Sequence, residues 1–197
     1  ANMPTSHNKF SLSGPSRALD PRINAMRGDL ADIALAGRHF SPHYAMPVER
    51  YCTAIHVPVC EKPDGRQVSE LLAGEAFMAL DFSAGWAWGY CKHDHYVGYV
   101  RSDALDALPQ PIADPLPADL TEAARQFLDM PYVWGGRGGA GIDCSGLIQR
   151  SAASIGVAAP RDSDMQMQSL GVALKDEEAL KSGDLVFFPG HVAMMID

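Results

Sequence analysis

The sequence has no apolar run of the roughly 18 to 20 residues that a membrane-spanning helix requires. Its N-terminus is polar and lacks the basic start and apolar core of a signal peptide. These absences predict a cytoplasmic protein that does not insert into a membrane. An exported protein whose signal peptide had already been removed would leave the same sequence. Four cysteines in 197 residues are too few for a disulfide scaffold.

Positive charge is also scarce. Sixteen Lys and Arg residues stand against 24 Asp and Glu residues, which gives a formal net charge of −8 with His neutral. A protein of this sign repels phosphate backbones, so we expect no nucleic-acid partner. Hydrophobic residues make up 47% and charged residues 20% of the chain. This balance excludes a disordered chain, and the length allows one large or two small domains.

The first segment, residues 1–43, is predicted to be a polar tail followed by a packing helix. Asp20 is a candidate N-cap, and Pro21 follows it at the first helical position. Gly37 is a plausible end to this helix. Apolar residues recur between these signals at helical spacing: Ile23, Met26, Leu30 and Ile33.

Residues 44–106 show a different pattern, typical of a small β-barrel. Short strand-like runs occur at 51–59, 75–82, 87–91 and 96–100, with turn signals between them. Residues 107–118 then contain four prolines, which indicates an extended, semi-rigid linker. We therefore place a domain boundary at this linker.

Residues 119–197 are predicted to form a second domain. A helix is expected over 118–129, and a glycine-rich loop follows it. A second helix is expected from Cys144 to a stop at Gly156. Strands at 185–188 and 191–196 are separated by a Pro-Gly turn and are expected to pair antiparallel.

Cys144 lies at the predicted start of a helix, directly after the glycine-rich loop. The partial positive charge and unpaired N–H groups of a helix N-terminus stabilise a thiolate, which is the nucleophilic form. His191, 47 residues further on, is the candidate base. Asp143 would oppose this activation unless it were paired or pointed away. The structural alternative is a buried thiol at position 144 and an incidental turn histidine at 191.

A zinc site is a second possibility. Cys52, His56 and Cys60 are spaced four apart, and a strand face could carry Cys91 with two nearby histidines, His93 and His95. No C-x-x-C pair accompanies them. The alternative is a set of buried thiols with surface histidines, and we expect neither metal nor cofactor.

Four short motifs occur in order in the second domain. They are Pro131-Tyr-Val-Trp-Gly-Gly136, Asp143-Cys-Ser-Gly146, Gly183-Asp-Leu-Val-Phe-Phe188 and Gly190-His-Val-Ala193. Together they closely resemble the NlpC family of cell-wall cysteine peptidases. In the first domain, Gly74-Glu75 and the run 96–100 resemble bacterial SH3-like domains. The fold class implied is α+β, with an N-terminal helix and SH3-like barrel before a papain-like domain.

The resemblance implies hydrolysis of the amide between D-γ-glutamate and a diamino acid in peptidoglycan stem peptides. By position, Cys144 is implied as the nucleophile and His191 as the general base and acid. Tyr132 is implied as a polar stabiliser of the same cleft. The peptide derived from peptidoglycan is thus the expected partner.

An SH3-like domain before such a catalytic domain narrows the resemblance to γ-D-glutamyl-L-diamino acid endopeptidases. These act on muropeptides with a free N-terminal L-Ala, because the β-domain closes one end of the groove. The implied substrate contacts of the catalytic domain are Asp143, Ser145, Asp162 and Ser163. From the β-domain we predict Glu75 and Tyr96, each of which could instead be an ordinary structural residue.

One departure from the family pattern concerns the third catalytic residue. Family members carry a polar residue that orients the imidazole on the strand after the catalytic histidine, whereas this sequence ends six residues after His191. We expect the second domain to be incomplete and the third residue to lie beyond Asp197. The alternatives are a non-catalytic module that binds cell-wall peptides and a papain-like amidase or acyltransferase.

Overall fold

The computed structural model describes residues 18–109, 111, 119–175 and 178–196. The first elements are two short parallel strands, β1 (Leu30–Asp32) and β2 (His43–Ala45). A single 3-10 turn, Ile33–Leu35, follows β1, and the Asp32 carboxylate caps it by accepting a hydrogen bond from the Ala34 N–H.

The prediction of a helix over residues 20–36 is wrong. Residues 21–24 form a turn, and β1 with its 3-10 turn occupies the rest of the apolar stretch. The turn is held to the neighbouring barrel, because the Val97 N–H donates to the Arg22 carbonyl over 2.8 Å. Ile23 and Ile33 remain 38% and 44% exposed, so the apolar spacing did not mark one buried helical face.

The first domain is built around a seven-stranded antiparallel sheet with the order β5-β4-β8-β7-β6-β3-β9. Its strands are β3 (Val48–Cys52), β4 (His56–Cys60), β5 (Gln67–Leu72), β6 (Ala76–Ser83), β7 (Trp86–Cys91), β8 (Val97–Arg101) and β9 (Leu105–Asp106). A 3-10 turn, Ser102–Ala104, joins the last two.

This sheet agrees with the predicted β-rich region but differs in two of its strands. The run predicted over 51–59 is divided into β3 and β4, and Ile55 between them is 84% exposed. Strand β5 was not predicted. The core is formed by alternate residues of the strands, which include Val57, Val59, Leu71, Phe77, Ala87 and Val100.

The second domain contains three helices and a hairpin. The helices are α1 (Leu120–Arg125), α2 (Cys144–Ser154) and α3 (Ser163–Ser169). The hairpin pairs β10 (Leu185–Phe188) antiparallel with β11 (His191–Met194), as predicted. Strand β11 packs on α2, with Val192 3% exposed. The linker predicted over 107–118 lies mostly outside the described residues.

The helices of this domain are only partly as predicted. Helix α2 begins at Cys144 as expected and is followed by Gly156 at a φ of 77°. The helix predicted over 118–129 is limited to α1, and the chain leaves helical geometry by Asp129, whose φ is 64°. Helix α3 was not predicted, because its seven residues are mostly polar.

A buried ion pair joins the two domains. Arg137 of the glycine-rich loop is 3% exposed, and its guanidinium donates to both carboxylate oxygens of Glu75 over 2.6 and 3.0 Å. It also donates to the Glu70 carbonyl and to the side chain of Gln149 on α2. These contacts fix the barrel against the start of the second domain and so position the cavity between them.

Candidate functional site

A cavity of about 590 Å³ lies where the barrel, α2, α3 and the β10–β11 hairpin meet. The barrel and the N-terminal segment contribute side chains to one wall, and the second domain supplies the rest. Its lining residues are Arg22, Arg66, Val68, Tyr96, Tyr132, Trp134, Asp143, Cys144, Ser145, Asp162, Ser163, Asp164, Met167, Phe187, Phe188, Pro189 and Gly190.

Cys144 is the first residue of α2 and is the partly exposed thiol of this cavity, whereas Cys52, Cys60 and Cys91 are buried. The preceding residue, Asp143, is the N-cap, and its carboxylate accepts a hydrogen bond from the Gly146 N–H over 2.7 Å. The thiol therefore lies at the positive end of an eleven-residue helix, where a thiolate is stabilised.

Glycines allow the glycine-rich loop and the start of α2 to approach each other closely. The Asp143 N–H donates to the Gly136 carbonyl over 3.2 Å. A Cβ at Gly146 would overlap the same carbonyl, so the helix can begin here only if position 146 carries no side chain. Two of the sequence motifs thus meet at the start of α2.

The Asp143 carboxylate is paired inside the protein. Arg161, 1% exposed, donates to its two oxygens over 2.9 and 2.6 Å, and the Gly135 N–H donates over 2.8 Å. The Ser145 hydroxyl also accepts from Arg161, over 3.0 Å. Asp143 and Ser145, which were predicted to contact substrate, therefore line the cavity. Their side-chain oxygens, however, already accept hydrogen bonds from Arg161.

Arg161 also links this site to the barrel. Its Nε donates to the hydroxyl of Ser69 on β5 over 3.1 Å. Through Arg161, the N-cap residue Asp143 is therefore connected to the neighbouring domain. The Arg137–Glu75 pair provides a second connection of the same kind.

Tyr132 is placed beside the thiol. Tyr132 is 60% exposed as a residue and lines the cavity. Partial burial and the neighbouring Cys144 charge raise the pKa of the Tyr132 hydroxyl above its ordinary value. This phenol remains protonated at neutral pH and can donate a hydrogen bond into the cavity.

His191 begins β11, directly after Pro189 and Gly190, which line the cavity. Its ring is exposed and lies 6.4 Å from the ring of Phe188, which pairs with it across the hairpin. Within the described residues, no hydrogen bond joins His191 to Cys144. Strand β11, which begins with His191, packs on the helix that begins with Cys144, but His191 is not among the residues that line the cavity.

One end of the cavity holds a cluster of charged and polar groups. The Tyr96 hydroxyl donates to Asp162 Oδ2 over 3.1 Å, and Arg22 donates to the same oxygen over 2.8 Å. Arg22 also pairs with Asp20 and Asp164, each over 2.8 Å. Burial and the adjacent Asp162 raise the pKa of Tyr96 above its ordinary value.

These contacts bring three predicted residues together: Tyr96 from the barrel, Asp162 before α3, and Ser163, the first residue of α3. Arg22 was not predicted as a site residue, because the sequence placed it in a packing helix. The Asp20-Pro-Arg22 sequence offered no signal for a contact made 140 residues away.

Glu75 does not line the cavity. The sequence placed it among the substrate contacts, but its side chain is 15% exposed and is paired with Arg137. Burial alone would raise the pKa of Glu75. The charge and hydrogen bonds of Arg137, the charge of His93 and the Leu72 N–H together outweigh burial and leave the pKa below its ordinary value. The Gly-Glu motif therefore holds the domains together here.

Arg66 and Trp134 form another part of the wall that sequence reasoning missed. The Arg66 guanidinium lies 5.8 Å from the centre of the Trp134 ring, and both side chains line the cavity. Trp134 is part of the motif at 131–136, and this motif could have indicated that Trp134 belongs to the site. Arg66 lies in the loop before β5, and no sequence motif indicated that it belongs to the site.

The thiols and histidines considered for zinc do not cluster. His56 Nδ1 lies 2.9 Å from a Glu70 oxygen, and His93 lies 3.2 Å from Asp94. Among residues 18–109, 111, 119–175 and 178–196, no group of three potential ligands could hold a metal ion. In the same ranges, no helix has the length and apolar character needed to cross a membrane.

Comparison with known families confirms the two resemblances. Residues 129–197 match the NlpC/P60 family, and residues 59–105 match the family described as "Bacterial dipeptidyl-peptidase Sh3 domain". The mixed α and β architecture, with its β-rich first domain, agrees with these two matches.

Three curated relatives are similar to parts of the chain. The γ-D-glutamyl-L-lysine dipeptidyl-peptidase of Bacillus cereus is 42% identical over 45% of this chain and 27% of its own length. The protein of the same name from Bacillus subtilis is 37% identical over 51% and 33%. The bifunctional muramidase/DL-endopeptidase CwlT of Bacillus subtilis is 32% identical over 66% and 40%. The chain therefore spans well under half of these relatives.

Proposed function

Because the chain carries an NlpC/P60 domain at 129–197 and a bacterial SH3 domain at 59–105, we propose that it is a cysteine endopeptidase of cell-wall peptides. The bond cleaved is the amide between D-γ-glutamate and a diamino acid. The observation that carries this proposal is the Cys144 thiol at the N-terminus of α2, facing a cavity formed by both domains. The similarity to a γ-D-glutamyl-L-lysine dipeptidyl-peptidase and to a muramidase/DL-endopeptidase supports the same reaction.

The reaction uses Cys144 and His191 in two steps. The imidazole accepts the thiol proton, the sulfur bonds to the carbonyl carbon, and the C–N bond breaks as the amine takes that proton from His191. Water then attacks the thioester and gives a proton to His191. The C–S bond breaks, and the proton returns to the sulfur. His191 must approach the sulfur in the substrate complex, as catalytic contacts often tighten on binding.

The developing oxyanion has two donors at hand. The backbone N–H of Cys144 lies at the first turn of α2 beside the Tyr132 hydroxyl, and both residues line the same cavity. The raised pKa of Tyr132 keeps this hydroxyl a donor through neutral pH. Donors aimed at the oxyanion stabilise the transition state more than the ground state.

The cluster around Asp162 suits a positively charged substrate terminus. It contains one arginine, Arg22, against three carboxylates from Asp20, Asp162 and Asp164. The excess of negative charge favours an ammonium group. We assign this end to the free N-terminal L-Ala of the peptide, with Tyr96, Asp162 and Ser163 as its contacts.

Mass spectrometry of L-Ala-γ-D-Glu-diaminopimelate incubated with the chain tests this function. We expect release of L-Ala-γ-D-Glu, loss of that release in Cys144→Ala, and retention in Cys60→Ala, which removes a buried thiol outside the cavity. An N-acetylated peptide is expected to be cleaved far more slowly, because acetylation removes the ammonium charge. Cleavage that persists in Cys144→Ala, or no cleavage by the unsubstituted chain, contradicts the proposal.

A peptide-binding module without catalysis is the second candidate. It is favoured by one observation: His191 and Cys144 are not hydrogen-bonded within the described part of the chain. Calorimetric binding of the free peptide without any turnover would support the module. Turnover would exclude it.

We also propose that the protein acts in the cytoplasm. A groove that accepts a free peptide terminus suits short peptides already released from the wall. Detection of the protein exclusively in an extracellular or wall fraction contradicts this location.

A further inference from the structure

Two arginines line the cavity, and their surroundings differ. Arg22 is paired with Asp20, Asp162 and Asp164 at one end. Arg66 has one ion-pair partner among the described residues, Glu61, at 3.3 Å, and the Arg66 side chain is 64% exposed. Exposed pairs of this kind hold their partners weakly. Arg66 is thus the cation of the cavity that is most accessible to a substrate anion.

Arg66 stands beside an apolar surface. Its guanidinium lies over the ring of Trp134, and Val68 on β5 lines the same cavity. Trp134 is 56% exposed, which leaves ring surface for a ligand. An arginine next to apolar surface can bind a carboxylate while the methylene groups that carry it contact the ring.

The Arg66–Trp134 pair and the cluster around Asp162 are separate parts of the cavity lining. Within the described ranges, no hydrogen bond or ion pair connects Arg66 or Trp134 with Tyr96, Asp162 or Arg22. All of them line the cavity that contains Cys144. If the Asp162 cluster holds the residues before the scissile bond, the Arg66 cluster is available to the residue after it.

We propose that Arg66 and Trp134 form the subsite for the leaving diamino acid, in which Arg66 binds the carboxylate at the end of its side chain. The enzyme would then prefer a diamino acid with a second carboxylate, of the diaminopimelate type, over lysine, which ends in an amine alone. This inference rests on the proposed function, because it assigns the two sides of the scissile amide.

The test compares three peptides that share L-Ala-γ-D-Glu and differ in the third residue. That residue is diaminopimelate, diaminopimelate with its side-chain carboxylate converted to a carboxamide, or lysine. Dissociation constants are measured by calorimetry in a Cys144→Ala background, so that binding is read without turnover. The carboxamide matches the acid in size and removes the charge alone.

We expect the acid peptide to bind about tenfold more tightly than the carboxamide or lysine peptide, as for a hydrogen bond to a charged group. Arg66→Gln should abolish this preference by weakening the acid peptide alone, and Arg66→Lys should restore part of it. Arg101→Gln is the matched control, because Arg101 is also exposed, pairs with Asp103 at 3.5 Å and lies 5.3 Å from the Trp86 ring, outside the cavity.

The outcomes separate the two proposals. Equal binding of the three peptides, or a preference unaffected by Arg66→Gln, overturns the subsite while cleavage by the unsubstituted chain still upholds the function. If Arg101→Gln abolishes the preference for the acid peptide to the same extent, the proposed subsite is also overturned, because the change in net charge alone would account for the effect. Absence of binding by all three peptides contradicts the subsite, and absence of cleavage contradicts the function.

Discussion

Replacement of Arg137 by methionine is expected to destabilise the protein strongly. The guanidinium is buried and donates to Glu75, to the Glu70 carbonyl and to Gln149. Methionine would fill much of the space but leave the Glu75 carboxylate buried without its cationic partner. Breaking a buried pair by removing one member costs roughly 3–5 kcal/mol of unfolding free energy. For a chain of this size, that is a fall in Tm of roughly 6–20 °C.

The assay is urea unfolding followed by tryptophan fluorescence and far-UV circular dichroism. The double variant Arg137→Met/Glu75→Gln should lose less stability than the sum of the two single variants, because the unpaired charge is removed with its partner. A coupling of about 1–3 kcal/mol is expected for residues in direct contact. Lys92→Met removes the exposed pair with Glu49 and serves as the control, with no measurable change expected.

A loss of less than about 1 kcal/mol in Arg137→Met would refute this reasoning, since it would show that the pair is solvated or replaceable. Additive effects in the double variant would refute the assignment of the loss to Glu75. Either result would mean that apolar contacts, rather than this pair, hold the barrel against the second domain.

The Glu75 carboxylate, the Cys144 thiol and Gly146 at the start of α2 each give a further prediction. The charges of Arg137 and His93, together with hydrogen bonds, lower the Glu75 pKa in spite of its burial, so that carboxylate contributes stability above its ordinary pKa of 4.5. The contribution is lost as pH falls through the lower folded value, so acid unfolding should be less steep in Glu75→Gln. Brief iodoacetamide treatment of the native protein should alkylate Cys144 alone by peptide mass spectrometry, since the other thiols are buried and burial raises the pKa of each. Modification of another thiol at equal rate would contradict this. Gly146→Ala should lower Tm and slow this alkylation, because its Cβ would displace the start of α2 from the Gly136 carbonyl; an unchanged Tm and rate would argue against it.

Local signals were sufficient where the chemistry of a few neighbouring residues decides the structure. The glycine-rich loop before Cys144 predicted the start of α2, and the Pro-Gly turn predicted the β10–β11 hairpin. The ordered motifs predicted the family of the second domain, which the comparisons confirm. Each of these features depends on contacts a few residues apart, or on a pattern that can be read along the chain.

The prediction failed where distant contacts compete with local preference. Residues 20–36 have the spacing of an amphipathic helix, but the Arg22 carbonyl bonds to the barrel and β1 pairs with β2 instead. Tertiary contacts of this kind outweigh helix propensity, which amounts to less than about 1 kcal/mol per ordinary residue. Strand β5 escaped prediction because its buried Glu70 and Ser69 break the apolar pattern.

Local sequence was enough to predict the candidate nucleophile Cys144 and the helix that begins with it, because a loop and the helix turn after it involve neighbouring residues. It also indicated Tyr96, Asp162 and Ser163, which the structure brings to one cavity. The folded arrangement was needed to show that Glu75 pairs with Arg137 and that Arg161 binds Asp143. It was also needed to show that Arg22 and Arg66 line the cavity. These pairs join residues far apart in the chain, and a charged residue carries no local sign of the partner it meets when the domains pack.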